Sequence, residues 1–135
     1  MKKRLLGTLL GFLALFGVGA IYYGILTADA AAEMMKANST CLKAPDMGLI
    51  VLGNILLAYL LVYAFDKMNV NDAKSGAYQG AMLFAIIFGF TQAFMMAQFS
   101  IFDMTFALTE WGIGILHGIV GGAAIGAYNS KIAEK

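Results

Sequence analysis

Four apolar runs of similar length divide this chain: Leu5–Leu26, Met47–Phe65, Gly76–Gln98 and about Trp111–Tyr128. Each is close to the ~20 residues that a helix needs to cross ~30 Å of hydrocarbon. Lipid offers the backbone no water, so a spanning segment must pair its own N–H and C=O groups, as a helix does. The expected fold is all-α, an integral membrane bundle of four transmembrane helices in a single domain over residues 1–135. Composition points the same way. The chain is 61% hydrophobic and 13% charged, with a mean hydropathy of +0.79, whereas soluble domains carry about 25% charged residues. A lone cysteine excludes an internal disulfide framework and a thiolate cage.

Lysine and arginine set the expected orientation. With the N-terminus inside, Lys2, Lys3, Arg4, Lys67, Lys74, Lys131 and Lys135 fall on the inner side, and only Lys36 and Lys43 on the outer. That seven-to-two bias predicts cytoplasmic N- and C-termini. Tyr22, Tyr23 and Trp111 then fall near the outer interface, where amphipathic rings are favoured. The opening "KKR", its apolar run and "ADA" at Ala28–Ala30 also fit a secretory signal with a cleavage site. The run is longer than an ordinary signal core, so an uncleaved first span is expected. "NST" at Asn38–Thr40 is a glycosylation sequon on the outer side. The connection Phe99–Glu110 lacks Lys and Arg and is too apolar for an ordinary loop. It either lies in the outer interface or extends the fourth helix outward, and the favoured reading is a short interfacial turn leading into a fourth span over residues 105–128.

Small residues recur every four positions: Gly114, Gly118, Gly122 and Gly126 in the fourth span, and Ala77, Ala81, Ala85, Gly89, Ala93 and Ala97 in the third. The first span offers Gly7, Gly11, Ala20 and Gly24. Helices in lipid gain little from apolar burial and associate through close backbone approach over such residues. The third and fourth spans are therefore the expected tight pair.

Polar residues inside the spans form a second pattern. Asn54, Gln92 and His117 each lie six or seven residues from the outer end of their span. At 1.5 Å per residue this is a common depth of about 10 Å, near that of Tyr22, Tyr23 and Thr91. Polar groups at such depth face the bundle interior or a water-filled cavity, so a polar layer is expected there. Asp103, Ala107, Glu110, Gly114, His117, Gly121, Ala124 and Tyr128 alternate at spacings of four and three, which places them on one face of a long fourth helix. Glu110 stands two turns above His117 on that face and complements a helix N-terminus. Asn54, Gln92, Glu110 and His117 are the candidate ligand- or proton-binding residues. A plain alternative is that His117 is a neutral imidazole bonded to Gln92, Asn54 or a carbonyl. Sulfur is concentrated on the outer side, in Met34, Met35, Met47, Met95, Met96, Met104 and Cys41. Thioethers suit Cu(I) but also serve as apolar filler, and no residue is assigned to a metal.

The stretches "GAIYYGIL" at Gly19–Leu26 and "LLAYLL" at Leu56–Leu61, the small-residue third span, and Glu110, Gly112 and "GAY" at Gly126–Tyr128 resemble the domain of unknown function 1761 family. These are small four-span bacterial membrane proteins. The resemblance implies a multi-pass protein of the bacterial cytoplasmic membrane. It carries over no catalytic residue, because the family is uncharacterised.

Two functions are compatible with these features. The small-residue stripes and short loops suggest an accessory or self-associating subunit of a membrane assembly. The alternative is a small oligomeric transporter or channel with an outward-facing polar vestibule around His117. The expected partners are the lipid bilayer and either a second copy or other membrane proteins. A net charge of +1 gives no reason to expect nucleic acid. No cofactor is expected. An enzyme is not expected, because the spans lack paired deep carboxylates, a second histidine or a nucleophile beside a base.

Overall fold

The computed structural model describes residues 2–133, and within them the chain is built of helices without strands. Helix α1 (Lys2–Ile21) runs on through a π-helical turn, Tyr22–Leu26, into a short helix α2 (Ala28–Ala37). Helices α3 (Met47–Met68), α4 (Ala73–Gln98) and α5 (Met104–Ala133) follow. Four helical stretches, Lys2–Leu26, α3, α4 and Met104–Ile132, are long and apolar enough to cross a membrane.

The spans are longer than the apolar runs, because polar residues cap them beyond the hydrophobic limits. Asp46, Asp72 and Asp103 each precede a helix and accept a bond from the backbone N–H three residues on: Leu49 at 3.2 Å, Ser75 at 2.8 Å and Phe106 at 2.7 Å. A carboxylate here satisfies one of the first-turn N–H groups and complements the helix dipole. Helix α3 ends at Asn69, whose φ of 53° and ψ of 40° place it in the left-handed region. Asparagine tolerates that cap conformation better than most residues. The connection 27–46 between the first two spans contains α2. Asp29 in its first turn and Lys36 in its last complement its dipole in the favourable sense.

Helix α5 is the centre of the bundle, with α4 packed on one side and α1 on the other, while α3 packs mainly on α1. Glycine makes the first contact possible. A Cβ on Gly76 would stand 2.2 Å from the Gly122 carbonyl oxygen, one on Gly80 2.1 Å from that of Gly118, and one on Gly126 2.3 Å from that of Asp72. Backbone therefore lies directly on backbone, the approach that small residues permit. Further along, Phe84 and Phe88 press onto Gly118 and Gly114.

The row that α4 presents is thus Gly76, Gly80, Phe84, Phe88, one position before the expected row of Ala81, Ala85, Gly89 and Ala93. Ala81 and Ala85 are half-buried and Ala93 is exposed. Gly89 has its own role, since a Cβ there would come within 3.1 Å of the Trp111 indole nitrogen. That nitrogen donates to the Ala85 carbonyl at 2.8 Å. The physical reason for the shift is contact distance: glycine opposite glycine admits a closer approach than alanine does.

The densest packing lies in the half of the bundle that holds the chain termini, called here the terminal end. Leu15, Ala58, Leu61, Phe65, Phe84 and Ile125 are fully buried. Ile125 fills the space left by Gly11, where a Cβ would lie 2.7 Å from its Cδ1. Two polar links close this end. Arg4 Nε pairs with Asp66 Oδ2 at 2.7 Å, and the Asn129 amide, 5% exposed, donates to the Val70 carbonyl at 3.0 Å.

Candidate functional site

Towards the opposite end, where α2 lies, the core opens. A cavity of about 590 Å³ lies among α1, the π turn, α2 and its connection to α3, α3 itself and α5. Most of its wall is apolar, from Phe16, Ala20, Ala31, Pro45, Met47 and Ile50. Its polar residues are His117, Asn54 and Tyr23.

His117 is 8% exposed. Its ring lies nearly parallel to Phe88 of α4, with a 6.4 Å centroid separation and 16° between planes. Nδ1 is 2.8 Å from the Ile113 carbonyl one turn earlier. A carbonyl only accepts, so this contact puts a ring proton on Nδ1. In the neutral imidazole Nε2 then carries the lone pair. Nε2 faces α1 at Gly19, where a Cβ would stand 3.3 Å away. Any larger side chain at position 19 would cover it. Asn54 donates from Nδ2 to the Ile50 carbonyl at 2.9 Å. Its amide oxygen has no hydrogen bond among the described residues.

Tyr23 marks the boundary of this cavity. A π turn carries one more residue than an α turn, and such turns recur at functional sites. Here it is closed by the Thr27 N–H donating to the Tyr22 carbonyl at 2.9 Å, reinforced by the Thr27 hydroxyl at 3.0 Å. From this turn the Tyr23 hydroxyl donates to Glu110 on α5. Glu110 belongs to a second cavity, of about 440 Å³, lined also by Lys43, Thr105, Thr109, Met34 and Met35. Tyr23, Ala31 and Pro45 line both cavities. The two chambers are neighbours, one with a carboxylate and an ammonium in its wall, the other with His117 and Asn54.

The four candidates of the sequence are thus divided. Asn54 and His117 share one chamber, and Glu110 lies in the next, linked to the first through Tyr23. Gln92 reaches neither. It continues the α4 row that faces α5, and its Oε1 is buried with no hydrogen-bond partner among the described residues. Asn129 and the Arg4–Asp66 pair were not singled out in the sequence. Trp111 was expected as an interfacial ring, and its indole bond to Ala85 had no signal beyond the neighbouring Gly89.

Four membrane-length helices define an all-helical, multi-pass, membrane-embedded protein, and a mainly apolar cavity, partly open to its surroundings, lies among them. Comparison with protein-family models, curated proteins and solved structures returned no match.

Proposed function

We propose that this chain is a membrane-embedded binding protein for a small, predominantly apolar molecule held above His117. The observation that carries this reading is the chamber itself. At about 590 Å³ it falls within the ~300–1,000 Å³ range of small-molecule sites. It also has their usual make-up, an apolar wall with a few convergent polar groups. An accessory or self-associating subunit, the reading motivated by small-residue stripes and short loops, loses one part of its support. Gly114, Gly118, Gly122 and Gly126 are in contact with α4 inside one chain, so those glycines offer a second copy no free face.

The excess of Lys and Arg at the terminal end supports cytoplasmic termini and chambers on the outer side of a bacterial cytoplasmic membrane. A carrier is the second reading, favoured by two chambers in series with Tyr23 between them. Liposome flux of the bound molecule, with His117→Ala as the diagnostic variant, separates a carrier from a static binder.

The binding reading is tested by equilibrium dialysis of 4-nonylphenol, an apolar probe with one hydroxyl, against the purified full chain in detergent. Saturation at one molecule per chain is expected. Uptake that rises linearly and matches empty micelles would overturn the proposal.

A further inference from the structure

The unpartnered polar atoms of the His117 chamber have a definite sense, and it selects the chemistry of the occupant. We infer that the chamber takes an apolar alcohol or phenol, a molecule whose polar group is a neutral hydroxyl. This inference rests on the binding reading given above.

Three acceptors are available. When the imidazole is neutral, its Nε2 lone pair is free, because the ring proton is committed through Nδ1 to the Ile113 carbonyl at 2.8 Å. The Asn54 amide oxygen is free because that side chain's bond to Ile50 is made from Nδ2. The Tyr23 oxygen keeps its lone pairs because its proton goes to Glu110. Against them stands one unused donor, the second amide hydrogen of Asn54.

A hydroxyl both gives and accepts, so it can donate to Nε2 while its own oxygen stays able to accept. An ether or ketone only accepts, and leaves Nε2 unmet. A carboxylate meets acceptors with acceptors. An ammonium has donors enough but carries a charge into an apolar wall. Among the described residues no carboxylate lines this chamber, and Glu110 lines the neighbouring one. Burying a charge without a partner is far costlier than burying a hydrogen-bonded hydroxyl.

The test compares a matched pair, 4-nonylphenol and its methyl ether 4-nonylanisole, against the wild-type chain. His117 is the only histidine, so ¹⁵N-histidine labelling yields one imidazole whose two nitrogens are followed separately by NMR. The phenol is expected to bind about tenfold more tightly than the ether, and to move the Nε2 resonance more than the Nδ1 resonance. Equal saturable affinities with Nε2 unmoved would overturn the hydroxyl preference while leaving the binding reading intact. No saturable uptake of either probe would overturn both. The comparison requires no variant, so a folding defect cannot imitate either result.

Discussion

The Nε2 atom of His117 on α5 faces Gly19 on α1 across a gap that a methyl group would nearly close: a Cβ at position 19 would lie 3.3 Å from it. Glycine in a helix interior costs about 0.5–1 kcal/mol relative to alanine. At this position it leaves the imidazole face open to the chamber that also holds Asn54. The bundle is tight at its terminal end, where glycines bring backbones together, and open at the α2 end. The binding proposed at His117 depends on that contrast.

The glycine contact between α4 and α5 sets a stability test. In Gly118→Ala the new Cβ meets the Gly80 carbonyl oxygen at 2.3 Å. Backbone cannot swing aside as a side chain does, so the helices must separate. A destabilisation of about 3 kcal/mol, at the upper end of ordinary overpacking, is expected. Gly53→Ala is the control, because nothing lies within 4 Å of that site. It should be neutral or slightly stabilising. Unfolding midpoints of both variants in the same detergent check this pair of outcomes.

Asn129 gives a second test at the terminal end. Its amide donates to the Val70 carbonyl in the α3–α4 connection from a site only 5% exposed. Asn129→Ala leaves that carbonyl without its donor and should cost about 1–3 kcal/mol. Asn129→Asp should cost more, since a carboxylate cannot donate and brings a charge. The ranking Asn, Ala, Asp in thermal unfolding is the readout.

Trp111 is the single tryptophan and reports on the α4–α5 crossing. Its indole donates to Ala85 over Gly89, where a Cβ would come within 3.1 Å of the indole nitrogen. Gly89→Val should displace the ring and break this bond. The expected result is a changed emission maximum and a loss of about 0.5–1.5 kcal/mol, whereas an unchanged spectrum would show that the indole is not seated there.

Orientation is open to a labelling test, because Cys41 is the single cysteine and is exposed beside α2. With cytoplasmic termini, a membrane-impermeant maleimide should label it in intact cells. In the double variant Cys41→Ser, Lys131→Cys, labelling should require permeabilised cells. The opposite pattern would invert the assignment.

The sequence made the spans legible because lipid demands both apolar length and internally satisfied backbone, and both can be counted. Caps moved the ends: Asp72 starts α4 three residues before the apolar run, and Asn69 ends α3 three residues after Phe65. Depth was also legible, and it placed Asn54 and His117 at one level. Direction around the helix was not. Gln92 lies at the same computed depth but points along the α4 row towards α5, one step from the alanine stripe that drew attention in the sequence. That stripe and the row in contact both repeat every four residues, so spacing alone does not choose between them. Gly76 and Gly80 distinguish the second row, since only glycine admits a carbonyl at the observed separation. Tyr23 joins Glu110 through a π turn, and a regular α-helical count offers no warning of it.

The most direct measurement is saturable binding of 4-nonylphenol to three forms of the chain: wild type, Gly19→Leu and Gly53→Leu. A leucine at position 19 would cover His117 Nε2, while position 53 has open space around it. Circular dichroism on the same samples confirms that each remains helical. One molecule per chain is expected in wild type and in Gly53→Leu, with saturable binding lost in folded Gly19→Leu. Undiminished binding in Gly19→Leu would contradict the assignment of the His117 chamber as the binding site.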